Sequence, residues 1–187
     1  MHQDSWSLKA KKMGYRSRAV FKLEEILVKL HKNQINKVLD LGSAPGGWSQ
    51  FIINKYPHSK IIAVDILHME PIDGVQFIKK NIEDIDSIQL INSLKGKFDL
   101  VISDIAPNLT GISAVDNENI YELNKITINL ANIYLSEASS AVVIKTFQNN
   151  NFKSLKKEME LFFKIVQTYK PAASKNKSAE TYLYGAR

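Results

Sequence analysis

Three stretches of consecutive apolar residues leave this chain few ways to fold: Ile61-Ile62-Ala63-Val64, Leu100-Val101-Ile102 and Ala141-Val142-Val143-Ile144. A strand with one wet face alternates apolar and polar residues. A strand without that alternation is covered on both faces, which is the signature of a parallel sheet with crossover helices. Around these runs the pattern predicts strands over residues 37–41, 60–65, 75–79, 98–103, 141–145, 164–170 and 180–185. Helical periodicity predicts helices over 17–30, 47–55, 85–93, 116–136 and 152–162. Their alternation gives a doubly wound α/β fold in one domain spanning residues 1–187. The last two strands are joined only by the polar loop 171–179, too short for a crossover, so they form an antiparallel pair.

Strand one runs into Asp40-Leu41-Gly42-Ser43-Ala44-Pro45-Gly46-Gly47-Trp48. Such a glycine-rich turn opening a helix lets backbone N–H groups face a nucleotide-like ligand. The glycines at 42, 46 and 47, with Ala44 between them, do not spell the dinucleotide G-x-G-x-x-G pattern, which counts against a nicotinamide-dependent oxidoreductase. Ligands of such sheets bind at the carboxyl ends of the strands. Strand one ends there near Asp40, strand two at Asp65, strand four at Asp104 and strand five at Lys145, while strand three runs into Asn81. Asp65 stands where a ribose diol is held, or else caps the strand end. Lys145 directly follows four apolar residues, a costly place for an ammonium without a purpose. Ser17 can cap the first predicted helix, whose apolar stripe runs from Ala19 to Leu30. Taken alone, Lys22 on its other face reads as a solvated lysine pairing with Glu25.

The net charge of +6 is unevenly spread. Residues 1–32 hold eight Lys/Arg against three Asp/Glu, and residues 170–187 hold four against one, while the middle is slightly acidic. Two basic ends on an acidic core fit a polyanion, most commonly nucleic acid. Trp6 and Tyr15 lie among the N-terminal charges, where they can stack on bases or anchor the first helix. There is no cysteine, which excludes thiolate metal sites and disulfides. The four histidines (2, 31, 58 and 68) lack metal-ligand spacing, so no metal is expected. No apolar run approaches the roughly 20 residues of a membrane span, and no secretory h-region is present. Cytoplasm or an organelle such as the mitochondrion, with a monomer as the default, is the expectation.

Taken together, several motifs resemble the FtsJ/RlmE-type family of S-adenosylmethionine-dependent ribose 2′-O-methyltransferases. They are residues 14–23, 40–50, 71–77, 103–111, 143–148 and 170–182, in the family's order over nearly the whole chain. The resemblance implies a Rossmann-like methyltransferase fold: a seven-stranded, mostly parallel sheet with an antiparallel last strand and helices on both faces. It also implies a catalytic tetrad of Lys22, Asp104, Lys145 and Glu180. Gly46, Trp48, Asp65, Asn81 and Asp104 are then the cofactor contacts, with Ile82 over the adenine where relatives carry an aromatic. The implied cofactor is S-adenosylmethionine. The implied substrate is RNA, with a uridine of large-subunit ribosomal RNA ahead of tRNA, and the basic segment 1–32 contributes to holding it. Other readings are a base amino-group methyltransferase and a non-catalytic ribosome-assembly module; an intact tetrad speaks against the last. Two departures stand out: Glu137-Ala138-Ser139-Ser140 where relatives often have Pro-Gly-Gly, and Gln148-Asn149-Asn150-Asn151 in place of a glycine-containing loop.

Overall fold

The consecutive apolar runs become the inner strands of one sheet. In the computed structural model, which describes residues 5–29, 34–108, 110–175 and 178–187, the strands are β1 (Lys37–Leu41), β2 (Lys60–Asp65), β3 (Val75–Lys79), β4 (Leu100–Ser103), β5 (Ala141–Phe147), β6 (Ile165–Tyr169) and β7 (Glu180–Ala186). The helices are α1 (Ser5–Lys12), α2 (Ala19–Lys29), α3 (Gly47–Lys55), α4 (Gln89–Asn92), α5 (Ser113–Tyr134) and α6 (Phe152–Glu160). The sheet order is β3-β2-β1-β4-β5-β7-β6. β1 to β5 are parallel neighbours, and β7 runs antiparallel to both β5 and β6. The seven-stranded fold read from the sequence is therefore the one observed.

Period-two alternation splits each inner strand between two cores. Val38, Ile61, Leu100 and Val143 join Val20, Leu23, Ile26 and Ile52 beneath α2 and α3. Leu39, Ile62, Val101 and Val142 join Ile128, Ala131, Leu155 and Met159 beneath α5 and α6. Both faces of the inner strands are thus dry, as continuous apolar runs require. No helix among the described residues is long and apolar enough to cross a membrane.

Several predicted boundaries move, each for a visible reason. The first helix starts at Ala19, whose N–H is met by the Ser17 hydroxyl at 3.2 Å; its predicted last residue, Leu30, lies outside the described residues, as do His2 and His31. The predicted helix over 85–93 is instead a 3₁₀ turn, Ile82–Ser87, followed by the single-turn α4. The Asn81 side chain accepts from Glu83 N–H, which starts the winding early, and extended Ile88 interrupts it. α5 begins before Asp116 because that carboxylate takes Thr110 N–H (2.7 Å), Thr110 hydroxyl (2.8 Å) and Gly111 N–H (3.1 Å), holding the preceding loop onto the helix. β4 is shorter than predicted, since Phe98 makes only an isolated bridge to Leu135. β5 is longer, because β7 supplies partners out to Phe147 opposite Glu180. α1 went unpredicted: its eight residues bury only Ala10, too little apolar periodicity to read.

The two loop departures resolve differently. In the loop before α6, Asn149 donates to Asn117 (3.1 Å) and Asn151 to Glu118 (3.1 Å), so asparagine side chains close a loop that glycines do not shape. Before β5 the turn still needs a left-handed residue, and Ser139 supplies it at φ 57°. A non-glycine residue there costs about 1–2 kcal/mol. Ser139→Gly is therefore expected to raise stability by about 1 kcal/mol, net of glycine's entropy, measured as a shift in the urea unfolding midpoint.

One strand residue is expensive. Asp40 is 1% exposed, in the middle of the sheet. Burial pushes its carboxyl up to about 7, opposed by the Ser49 hydroxyl bond (2.6 Å) and reinforced by the charges of Asp104 and Asp65. The unfolded chain ionises Asp40 near its ordinary 3.8, while the folded chain keeps the proton. Folding therefore takes up a proton in that window, and stability falls as pH rises from about 4 to about 7. Relative to Asp40→Asn, wild type should lose on the order of 1 kcal/mol per pH unit across that window and level off above it, followed by urea unfolding at each pH.

Candidate active site

Two layers of residues converge at the carboxyl ends of β1, β2, β4 and β5. The first is the turn from β1 into α3. Gly42 has φ +72°, and a Cβ there would stand 1.9 Å from Ile105 Cγ1, so only glycine fits against that side chain. Gly46 has φ +102° and lies against Ile72, Met69 and Arg16. At Gly47 a Cβ would meet the Ser17 hydroxyl at 2.4 Å. The Ala44–Pro45 peptide is cis. Gly42 N–H and Ser43 N–H both donate to Val64 O, and Ala44 N–H donates to Asp65 Oδ2 at 2.8 Å, so the turn is sewn to the end of β2. Trp48, 3% exposed, donates its indole N–H to Ala19 O (2.8 Å) and packs on Tyr182 with ring centroids 5.9 Å apart.

The second layer is the charged cluster. Lys22 on α2 lies 2.6 Å from Glu180 on β7, and Lys145 on β5 lies 3.1 Å from Asp104 at the end of β4. Lys145 also donates to the main-chain carbonyl of Asp104. The side chains of Lys22, Lys145 and Glu180 are 7%, 11% and 16% exposed, whereas Asp104 is 25% exposed and is the member most open to the cleft. The tetrad expected from the sequence is thus assembled from four separate elements. Lys22 does not pair with Glu25 as its helix spacing had implied. Glu25 instead binds Lys29 (2.8 Å) and accepts from Ala172 N–H (2.8 Å), because Lys22 faces the sheet.

Burial works to raise the Glu180 carboxyl, but the Lys22 ammonium, the Ser174 hydroxyl (2.8 Å) and the charge of Lys145 outweigh it and hold Glu180 below its ordinary range. Tyr182 is fully buried, with its hydroxyl 3.3 Å from Asp104 Oδ1 and its ring 5.8 Å from the Lys22 ammonium. Burial first, then the charges of Asp104 and Glu180, push its hydroxyl far above the ordinary phenol range, so it stays a neutral donor. It sits directly opposite Lys145 in the β5–β7 ladder. Sequence reasoning missed it, although Glu180 and Tyr182 two residues on share one strand face. Asp40 was read only as the acid closing strand one, and its partner Ser49 was missed; an acid inside a buried strand was the available signal.

A cleft lined by Ser17, Asp40, Ser43, Pro45, Trp48 and Asp104 joins the two layers. A larger open hollow lies at the opposite, amino end of β1 to β3, lined by Lys37, Ile61, Gly74, Leu90 and Phe98 but by no carboxylate. It sits away from the strand ends where ligands of this architecture bind. The residues in the carboxyl-end cleft suit an adenosyl amino acid. The Ser43 hydroxyl is buried with no hydrogen-bond partner, leaving a polar group for a ligand to satisfy. Asp65, 8% exposed, accepts from Ala44 N–H on one oxygen and from Leu67 N–H on the other, so each oxygen retains acceptor capacity. Asn81 is exposed and its oxygen already caps the 3₁₀ turn, so a contact to adenine uses its second lone pair. Ile82 is 6% exposed and belongs to the core under α5, so little of it is left to cover a ring. No group of three His, Asp or Glu side chains able to hold a metal occurs among the described residues.

Trp6 and Tyr15 pack against the core, with Trp6 5.3 Å and Tyr15 6.2 Å from Phe21 between ring centroids, which favours the anchor role over base stacking. Lys9 lies over both Trp6 and Phe21.

Comparison with known proteins agrees with this geometry. The chain is 38% identical over 187 residues to ribosomal RNA large subunit methyltransferase E of Wigglesworthia glossinidia brevipalpis, covering 97% of this chain and 90% of that one. It is 36% identical to the protein of the same name from Polynucleobacter asymbioticus, with the same coverage. The crystal structure of a ribosomal RNA methyltransferase from Plasmodium falciparum superposes with a TM-score of 0.79 at 29% identity, over 92% of this chain and 98% of that one. Residues 15–187 match the model of the FtsJ-like methyltransferases, and the chain belongs to that family.

Proposed function

We propose that this chain transfers the methyl group of S-adenosylmethionine to a ribose 2′-hydroxyl of large-subunit ribosomal RNA, at a uridine, acting as a monomer. The observation that carries this reading is the pairing of Lys22 with Glu180 and of Lys145 with Asp104 beside the glycine turn. An amino-group methyltransferase needs acceptors that hold an exocyclic amine; a hydroxyl needs a base and cations that keep its proton and phosphate in place. When bound, S-adenosylmethionine supplies a sulfonium-activated methyl group for in-line attack.

The chain's part is alignment and proton transfer. Lys145, held by both the side chain and the carbonyl of Asp104, takes the 2′-hydroxyl proton as the oxygen attacks, and acts in its neutral form. Lys22, anchored by Glu180, positions the ribose or its phosphate. Asp65 holds the cofactor's ribose diol, Gly46 and Trp48 flank its methionine end, Asn81 reaches the adenine, and Asp104 lies at the methyl-donor end. The whole chain works as one catalytic domain, with the basic N-terminal segment helping to hold the RNA through Lys11 and Lys12, both exposed on α1. The curated relatives named above are bacterial, and neither favours an organelle; the reaction belongs wherever ribosomal RNA is made and assembled.

Labelled S-adenosylmethionine offered with large ribosomal subunits, free rRNA and tRNA is expected to label the subunit, with the methyl mapping to a ribose. Label on a base nitrogen overturns the reaction class, and label on tRNA alone overturns the substrate. Lys145→Ala is expected to slow methyl transfer by about 10²–10⁴-fold or more while binding S-adenosylmethionine as wild type does by calorimetry. Near-normal transfer by that variant removes Lys145 from the role.

A further inference from the structure

We infer that Arg16 is a positioning residue for the cofactor and not a contact for RNA, although it stands in the basic N-terminal segment. Its guanidinium is turned onto main-chain carbonyls. Nη1 donates to Pro45 O (3.1 Å) and Glu70 O (2.6 Å), and Nη2 donates to Pro71 O (2.6 Å). Its main-chain N–H donates to the Gln50 side chain (3.0 Å), whose amide closes the loop by donating to Gly14 O (2.9 Å). One side chain therefore joins three segments: the chain leading into α2, the glycine turn, and the loop that follows Asp65.

That placement has a definite mechanical meaning. The glycine turn and the end of β2 are tied on one side by Ala44 N–H to Asp65. Arg16 ties them on the other, across Pro45 and Glu70–Pro71. Between the two ties lies Gly46, with Met69, Ile72 and Arg16 all within 3.2 Å of where its Cβ would be. Met69 is 2% exposed, so this wall is packed. The distance between the groups at Gly46 and the ribose acid Asp65 is thus clamped from both sides. Arginine is the residue type for this work: its planar fork presents donors in fixed directions to several carbonyls, whereas a lysine ammonium is a flexible point donor. Three of its five N–H donors are directed at main-chain carbonyls, which fixes the guanidinium within the fold, while Lys11 and Lys12 remain exposed on α1. The inference rests on the reading that the glycine turn and Asp65 hold S-adenosylmethionine.

The test compares wild type, Arg16→Lys, Arg16→Gln and Asp65→Ala in the full chain. Calorimetry gives the Kd for S-adenosylmethionine and S-adenosylhomocysteine, and steady-state assays on large ribosomal subunits give KM for each substrate. Arg16→Lys is expected to weaken both cofactor affinities about tenfold or more, with lost turnover recovered by raising S-adenosylmethionine and with the KM for RNA unmoved. A raised RNA KM with cofactor Kd unchanged overturns the inference, as does no change in either. Should Arg16→Gln melt too low to assay, Arg16→Lys keeps the charge and most of the stem and carries the test alone. Asp65→Ala separates the two levels. If it binds cofactor like wild type, the placement of the cofactor fails. If it binds weakly while Arg16→Lys binds normally, only the role of Arg16 fails.

Discussion

Two lysines, each paired with a carboxylate at the end of the dry inner strands, are the constraint on which the rest of the site depends. Taking a charge out of water costs several kcal/mol, and a well-placed opposite charge roughly offsets that cost without adding much stability. Lys22 with Glu180 ties α2 to β7, and Lys145 with Asp104 ties β5 to β4. Removing one partner leaves an uncompensated buried charge, worth about 3–5 kcal/mol. The four residues are consequently a unit: each carboxylate holds a lysine in place, and each lysine makes its carboxylate tolerable. The antiparallel strand matters here, since a seventh strand running the other way brings Glu180 and Tyr182 back beside the outgoing end of β5.

The same geometry gives the site a division of labour. Asp104 is the point of contact between the two layers: it borders the cleft at the glycine turn, pairs with Lys145 and receives the Tyr182 hydroxyl. Tyr182 in turn packs at a tilt against Trp48, whose indole is bonded to the start of α2. The glycine turn, the charged cluster and α2 are therefore linked through one aromatic pair. A merely electrostatic description of the tetrad omits this apolar support.

Much of this was legible in the sequence, and the exceptions have causes. β1, β2, β3 and α3 are bounded where they were expected; for β1 and β2 the reason is that dry parallel strands carry no polar alternation and stop at the glycine turn and at Asp65. The 3₁₀ turn and α4 were misread as one helix because local periodicity cannot register an asparagine cap at 81 or an extended residue at 88. α1 escaped because Ser5–Lys12 offers a single apolar pair at helical spacing, Trp6 and Ala10, among lysines and serines. The tetrad was found through motif resemblance; helix spacing alone paired Lys22 with the wrong carboxylate, since spacing says which residues are neighbours on a helix and not which face meets the sheet. Arg16 shows the limit most clearly. Composition counts its charge toward a polyanion, and only the fold reveals that its donors point at carbonyls.

The glycine at 42 invites the assumption that a missing side chain makes room for a ligand. Here the space is taken by Ile105, the residue after Asp104. The turn and the strand-four loop are therefore lock and key to each other within the protein. A side chain at 42 would meet Ile105 first, and so press on the neighbour of Asp104, the partner of Lys145. Shrinking residue 105 would open the space but leave φ +72° at position 42, so glycine is required there twice over, by its neighbour and by its own backbone.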